Sequence, residues 1–145
     1  MNDDELLLLE NQVCFPIYAA ANKVIRRYQP LLKELDLTYT QYITMMVLWE
    51  KEEVNEKELV NCLYLKANTL TELLKKLEKK GYVDIHKADN DKRLIVIRLT
   101  QAGRDLKKKA VHVPKTLVEE RWLTDEEFMT LKSLLYKLLE GEWCQ

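Results

Sequence analysis

Between Asn55 and Arg104 the sequence reads as a short helix, a turn, a second helix rich in lysine, and two short strands around a polar turn. This order is typical of a winged helix-turn-helix, in which one helix enters the DNA major groove and a hairpin contacts the backbone. The pattern therefore predicts a mainly α fold with a small β-hairpin wing. We name residues 37–100, over which this arrangement is predicted, the winged unit.

The charge distribution supports this interpretation. The chain of 145 residues has a formal net charge of -1, which by itself does not suggest nucleic acid. Thirteen of the 23 Lys and Arg but only six of the 24 Asp and Glu lie between positions 66 and 109, so this segment carries +7 and the remainder -8. A basic segment on a near-neutral chain is the expected electrostatic footprint of a DNA-binding surface.

Helices are predicted on both sides of the winged unit. Apolar residues spaced by three and four predict a helix over Leu6–Tyr28, which Pro16 should bend. Pro30 is predicted to begin a short second helix over Leu31–Leu35, and Thr40 to cap a third. The N-caps predicted for later helices are Asn55, Thr100 and Thr124. The lysine-rich helix is predicted over Asn68–Lys80, and the strands over Tyr82–Ile85 and Leu94–Ile97.

These elements predict one domain over residues 1–145. The leucine-rich helices at about 5–35 and 101–143 are not needed to fold a winged unit, and we expect them to form a homodimer interface. The alternative is that they complete the core of a monomer. A dimer would place two DNA-reading helices one duplex turn apart, which matches a palindromic operator in double-stranded DNA.

Composition narrows the classes of protein and of functional site that remain open. The N-terminus is acidic, no apolar stretch reaches membrane-spanning length, and the expected location is cytoplasmic, with no membrane partner. The three cysteines, at positions 14, 62 and 144, are too widely spaced for a zinc motif or a disulfide framework. No metal site, cofactor or catalytic constellation is expected, which favours a binding protein over an enzyme.

Two groups of residues are the candidate DNA contacts. Short polar side chains and lysines of the second helix could reach bases or phosphates, and an arginine at the hairpin tip could enter the minor groove. Asp91 could hold that arginine in place. These candidates could instead be capping or solvated residues. They are Asn68, Thr69, Thr71, Lys75, Lys76, Asp91, Lys92 and Arg93.

Cys14 lies among apolar residues near the N-terminus, where a lone cysteine is most often a small buried thiol. A redox-active thiol would instead need groups that stabilise its thiolate. Four of the seven tyrosines could serve: Tyr18, Tyr28, Tyr39 and Tyr42. Cys62 is expected in the core and Cys144 in an inert tail.

Several segments together resemble the MarR family of transcriptional regulators, and within it the OhrR type, which responds to organic hydroperoxides. The segments are Asn11–Tyr18, Tyr28–Leu32, Leu37–Tyr42, Thr69–Thr71, Leu77–Gly81, Asp91–Arg93 and Leu99–Gly103. The wing segment resembles the family, and the Cys-Phe pair followed by two spaced tyrosines resembles the OhrR type.

The resemblance implies that Cys14 is a sensing cysteine hydrogen-bonded by Tyr28 and Tyr39, one from each subunit. It also implies that an organic hydroperoxide oxidises Cys14 to a sulfenic acid, and that the repressor then leaves DNA. Glu119 and Glu120 lie where two-cysteine members carry a resolving cysteine, which favours the one-cysteine type. Lys66 and Ala67 also depart from the common pattern before the DNA-reading helix.

Two alternatives remain open. A regulator of the same family could be released from DNA by a small aromatic effector, with Cys14 merely structural. A thiol peroxidase-like enzyme could use Cys14, but the basic wing would then have no function.

Overall fold

The computed structural model describes residues 1–141. Its helices are α1 (Asp3–Leu6), α2 (Cys14–Lys33), α3 (Tyr39–Lys51), α4 (Glu56–Leu63), α5 (Ala67–Lys79), α6 (Gln101–Ala110), α7 (His112–Glu119) and α8 (Asp125–Glu140). A 3-10 turn covers Leu9–Asn11. The strands are β1 (Glu53–Asn55), β2 (Val83–Lys87) and β3 (Ile95–Leu99). None of the helices in this range is both long and apolar enough to cross a bilayer.

The chain divides into two compact units, Met1–Val113 and the residues from Pro114 onward. The first contains α1–α6 and the sheet. The second contains most of α7 and all of α8, whose N-cap Thr124 forms the predicted capping box with Glu127. The prediction of a single domain over residues 1–145 stays a prediction.

The winged arrangement is present in the first unit. Helices α4 and α5 form the helix-turn-helix, and β2 and β3 pair as an antiparallel hairpin with Val83 opposite Leu99 and Lys87 opposite Ile95. The sequence analysis missed β1, which pairs with β3 and makes a three-stranded sheet of order β1-β3-β2. Three residues are too short for an alternating pattern to stand out from a loop.

The core of this unit joins α5 to the sheet and to the preceding helices. Leu59, Leu70, Leu77 and Ile97 are fully buried. Helix α6 begins at the predicted cap Thr100 and packs closely through Gly103. A Cβ at Gly103 would lie 2.4 Å from the Tyr82 carbonyl oxygen, so only glycine allows this approach.

Two proline predictions and one cap prediction are wrong. The long helix begins at Cys14, so Pro16 lies in the first turn, where its missing N–H removes no helical hydrogen bond. Pro30 lies inside α2 and starts no new helix, and the helix continues to bury Leu32. Helix α3 is capped by Thr38, whose side chain accepts the backbone N–H of Gln41, and Thr40 lies in the first turn.

Candidate DNA-binding and thiol sites

Helix α5 presents its polar residues on the side opposite its leucines. Leu70, Leu73, Leu74 and Leu77 are buried. At 3.6 residues per turn, one outward arc of the helix then contains four of the candidate contacts, and all four are exposed. They are Asn68, Thr69, Lys75 and Lys76. Lys79 shares this arc one turn beyond Lys75 and is missing from the predicted contacts, although its i, i+4 spacing could have revealed it.

Thr71 has a different environment from the other candidates. Its hydroxyl lies 3.0 Å from Glu56 Oε1 and 2.9 Å from the Ala67 carbonyl oxygen, so it can donate to either acceptor. The bond to Glu56 connects the two helices of the helix-turn-helix. Thr71 therefore helps to fix the angle of α5, which weakens its claim as a direct base contact.

The hairpin tip carries an arginine whose backbone N–H and Nε are bonded to a neighbouring aspartate. One oxygen of Asp91 accepts the backbone N–H of Arg93 at 3.0 Å and its Nε at 3.2 Å, as predicted. The Arg93 side chain is nonetheless 93% exposed. Because the ion pair uses Nε, the two terminal guanidinium nitrogens remain available to an anionic partner. Lys92 beside it is also exposed.

The hairpin and α5 are joined by side-chain bonds. Glu78 of α5 accepts the backbone N–H of Ile85 in β2 at 3.0 Å. Gly81 turns the chain between them with a positive φ of 84°, a conformation that glycine adopts at little cost. The Thr100 hydroxyl donates to the Gly81 carbonyl at 2.6 Å. These bonds fix the wing relative to α5, so one chain holds both basic surfaces in a defined geometry.

Cys14 is the first residue of α2 and is exposed, contrary to the expectation for a lone buried thiol. The preceding Val13 provides no side-chain cap. Backbone N–H groups in a first helical turn lack helical partners and, with the helix dipole, favour a negative charge. Thiolate is the reactive form of cysteine, and the exposure of Cys14 leaves its sulfur accessible to a small oxidant.

Three tyrosines form a ring cluster between α2 and α3. The Tyr28 and Tyr39 ring centroids are 5.0 Å apart, and those of Tyr28 and Tyr42 are 5.9 Å apart. Burial, followed by the neighbouring Tyr39 and Tyr42, raises the pKa of Tyr28 to about 12. Burial and Tyr39 also raise the pKa of Tyr42. The Tyr28 phenol is therefore protonated at neutral pH and can donate a hydrogen bond to an anion.

One chain does not bring Cys14 together with this cluster. Cys14 and Tyr28 are fourteen residues apart in the same helix, which is about 21 Å along the axis at 1.5 Å per residue. Tyr39 lies against Tyr28, so its ring is also remote from Cys14 of its own chain. Tyr18 is exposed and is not part of the cluster.

Of the two remaining cysteines, one lies on α4 and the other lies outside the described residues. Cys62 is exposed on α4, so the expectation that it lies in the core is wrong. It sits near the end of a short helix whose buried residue is Leu59. Cys144 lies outside the described residues. Within residues 1–141, no group of three or more His, Cys, Asp or Glu side chains is arranged to hold a metal ion.

The fold and the basic surfaces define a winged-helix DNA-binding protein. Residues 26–110 match the family described as transcriptional regulator SarA/Rot. The organic hydroperoxide resistance transcriptional regulator of Bacillus subtilis (strain 168) is 40% identical over 139 residues, which cover 96% of this chain and 95% of that protein.

Solved structures give the same result. Overoxidized AbfR bound to DNA has a TM-score of 0.79 and 30% identity, covering 94% of this chain and 97% of that one. AbfR is a Staphylococcus epidermidis protein. NadR in complex with 4-hydroxyphenylacetate has a TM-score of 0.74 and 26% identity, covering 90% of this chain and 94% of that one.

This chain belongs to the MarR family of winged-helix transcriptional regulators, and its resemblance to the organic hydroperoxide-responsive type is confirmed. The predicted fold class is confirmed as well. The names of its relatives are those of regulators, which confirms the prediction of a transcriptional regulator over an enzyme.

Proposed function

We propose that this regulator is a homodimeric repressor that binds a palindromic operator and leaves it when an organic hydroperoxide oxidises Cys14. The observation that carries the proposal is the exposed thiol at the start of α2, combined with a tyrosine cluster that the same chain cannot bring to it. The hydroperoxide is assigned by similarity to the Bacillus subtilis regulator. A protein that acts on operator DNA works where the DNA is, and we place it in the cytoplasm.

Exposed apolar side chains support a dimer. In the N-terminal segment, Leu7 is 84% exposed and Val13 71% exposed. In α8, Leu134 is 60% exposed, and Phe128 and Leu131 are also exposed. Such surfaces are unfavourable in water and are typical of protein interfaces. A second copy of the chain would cover them.

The helix geometry supports a sensor built from two chains. Since Tyr28 and Tyr39 lie in ring contact and about 21 Å from their own Cys14, we place both tyrosines of a site on one subunit and the cysteine on the other. This replaces the arrangement with one tyrosine from each subunit that the family resemblance suggested. Each phenol would donate a hydrogen bond to the partner's thiolate, worth about 1.5–3 kcal/mol for a charged acceptor.

The chemistry is a two-electron oxidation. The Cys14 thiolate attacks the terminal oxygen of the hydroperoxide, an S–O bond forms, and the O–O bond breaks. Sulfur is oxidised to a sulfenic acid, and the peroxide is reduced to an alkoxide that takes a proton from water. The charged acceptor for the two phenols is then lost. The tyrosine cluster can shift, and with it the angle between the two winged units.

For contact with DNA, we assign Asn68, Thr69, Lys75 and Lys76 to the major groove or its phosphates. We assign Arg93 to the minor groove, with Asp91 orienting it and Lys92 on the backbone. The outward arc of α5, the exposed tip and the bonds that join them support this assignment.

A second candidate has its own support. An open groove of about 1030 Å³ lies between α2, the start of α3 and α5, and it is lined by Tyr39 and by the lysines at positions 76, 79 and 80. A small aromatic acid would suit aromatic and cationic walls. NadR, which resembles this chain in fold and sequence, has been solved with 4-hydroxyphenylacetate. In this version Cys14 has no role in the response.

The test is a DNA-binding titration before and after exposure to an organic hydroperoxide, with and without a reducing thiol. The operator is first selected from random duplexes with the reduced protein. We expect Cys14→Ser to bind the operator but to keep it after oxidation, because a serine hydroxyl stays protonated and cannot attack the peroxide. Cys62→Ser is the matched control and should release the operator as the wild type does.

Three outcomes are informative. Oxidative release by Cys14→Ser would refute the sensor. Release by an aromatic acid without any peroxide would favour the second candidate. Loss of reversible release in Cys144→Ser alone would assign a resolving role to Cys144, and we expect instead that an external thiol completes the oxidation.

A further inference from the structure

Lys80 differs from the other lysines of the DNA-reading region. It is the C-cap residue of α5, and its side chain is only 27% exposed because it extends to the corner between α2 and α3. Its ammonium group donates to the Asp36 carbonyl oxygen and lies 3.5 Å from the Asp36 carboxylate. Gln41 Oε1 is a further acceptor at 3.4 Å. Lys79, one residue earlier, is exposed.

The residues around the ammonium group of Lys80 also form the N-terminal cap of α3. Gln41 is 3% exposed, and its Oε1 accepts the backbone N–H of Thr38 at 3.1 Å. Its own backbone N–H lies 3.3 Å from the Thr38 hydroxyl, which completes the capping box. One buried amide oxygen is therefore shared between the cap of α3 and the end of α5. Asp36 adopts a positive φ of 53°, which is uncommon outside glycine and indicates a constrained corner.

Tyr39 is the first residue of α3, directly after this cap, and its ring contacts Tyr28. A backbone displacement at Tyr39 would move the adjacent Thr38, whose N–H is bonded to Gln41 Oε1. Movement of Gln41 would change one acceptor of Lys80 at the end of α5. Short, continuous hydrogen-bond networks of this kind can carry coupling between sites when they have two arrangements.

We propose that Lys80 is a positioning residue that couples the tyrosine cluster to the DNA-reading helix. This inference rests on the proposed function, since it concerns how oxidation of Cys14 reaches the DNA surface. Lys80 touches neither the thiol nor the peroxide. It links the cap of the helix that carries Tyr39 to α5, so that the position of α5 depends on the state of the sensor.

The test compares Lys80→Met, Lys79→Met and Lys80→Arg with the wild type. Lys80→Met keeps an unbranched side chain of similar length and removes the hydrogen-bond donors of the ammonium group. Gln41 keeps its bond to Thr38. Lys79→Met removes the same charge one residue away, at a side chain that is exposed. Lys80→Arg keeps a positive charge and hydrogen-bond donors at the corner between α2 and α3. For each protein, operator affinity is measured reduced and after organic hydroperoxide, and a thermal melt checks the fold.

The readout is the factor by which oxidation weakens operator binding. Coupling between sites usually changes affinity by about 5- to 150-fold. We expect Lys80→Met to lower the oxidation factor by about fivefold or more, and Lys79→Met and Lys80→Arg to retain it. In the reduced state, Lys79→Met should lose more affinity than Lys80→Met, because Lys79 lies on the outward arc of α5 whereas the Lys80 side chain is 27% exposed and paired with Asp36.

The two hypotheses fail differently. If the wild type keeps its operator after oxidation, the proposed function fails and the coupling role falls with it. If the wild type releases DNA and Lys80→Met releases it by the same factor, the coupling role alone is refuted. An equal loss in Lys79→Met would also refute it, since net charge would then explain the effect.

Amide hydrogen exchange on the unmodified protein gives a test that needs no variant. On oxidation, exchange should rise together at residues 35–41 and at residues 76–81, because one network joins them. Faster exchange at the first segment with no change at the second would overturn the proposal. Parallel changes would support it even if Lys80→Met folds poorly.

Discussion

The winged unit and the N-terminal segment of residues 1–18 differ in how much of their packing comes from a single chain. In the winged unit, Leu70, Leu77 and Ile97 are fully buried, and the hairpin is fixed to α5 by the bond from Ile85 to Glu78. In the N-terminal segment, no described residue is buried. One chain thus completes the first region and leaves the second without a core.

This difference explains how a DNA-binding protein can respond to a signal. A surface whose core lies within one chain stays folded while its position relative to the partner chain changes. A sensor assembled from two chains changes the relation between the subunits when its contacts change. On the proposed mechanism, the repressor would lose its operator because its two winged units, each still folded, would no longer match the two half-sites.

The largest effect is expected in the core of the winged unit. Leu77→Ala should lower the free energy of unfolding by about 2–5 kcal/mol, because it removes buried methyl groups and leaves a cavity. Phe15→Ala, at a position 45% exposed in the chain, should instead weaken the dimer. Denaturant melts at several protein concentrations would separate the two.

The expected signatures are opposite. The loss in Leu77→Ala should persist at every protein concentration, and that in Phe15→Ala should be absent at the lowest concentrations and grow as the wild type dimerises more than the variant does. Sedimentation equilibrium of the wild type at micromolar concentration should give the mass of a dimer. A Phe15→Ala protein whose stability and mass match the wild type would remove Phe15 from the interface.

A smaller effect is expected at the hairpin tip. Arg93→Ala should weaken operator binding by about 1–3 kcal/mol, the usual scale for a groove-inserted arginine, with little change in stability. Arg98→Ala is the matched control, because Arg98 lies on the same hairpin and is paired with Glu53. An unchanged affinity in Arg93→Ala, or an equal loss in Arg98→Ala, would remove the tip from the DNA interface.

The same contrast determined what could be predicted from the sequence. The winged unit follows local rules: leucine spacing in α5, the cap at Asn55 and the turn at Gly81 were all predicted. In the N-terminal segment no residue is buried, so apolar spacing there carries no information on where the helix begins. There the predicted helix began at Leu6, whereas α2 begins at Cys14, because the exposed leucines continue the helical spacing.

Candidate site residues divide in the same way. Asp91 and Arg93 are neighbours in sequence, so their pairing was predictable from a turn of known type. The bond between Thr71 and Glu56 joins residues fifteen positions apart and depends on how two helices cross. Lys80 reaches residues near position 40 across the fold, and no local pattern marks it.

The smallest effect concerns the tyrosine cluster. Between pH 10 and about 12, the unfolded chain loses the Tyr28 proton while the folded chain keeps it, because the folded pKa of Tyr28 is raised to about 12. The folded state then binds more protons, so stability falls as pH rises through this window and is unaffected below it. Tyr28→Phe should therefore lose stability less steeply than the wild type above pH 10. Parallel curves from pH 8 to 12 would contradict the burial of this phenol.

The assembly of the sensor from two chains is tested most directly with mixed dimers. One subunit carries Cys14→Ser, and the other carries Tyr28→Phe with Tyr39→Phe. If each site combines a cysteine from one chain with tyrosines from its partner, this dimer keeps one intact site and should release operator on oxidation. A wild-type chain paired with a chain carrying all three substitutions should have none and should respond poorly. The opposite pattern, no release by the first dimer and wild-type release by the second, would place the sensor within a single chain and contradict the account.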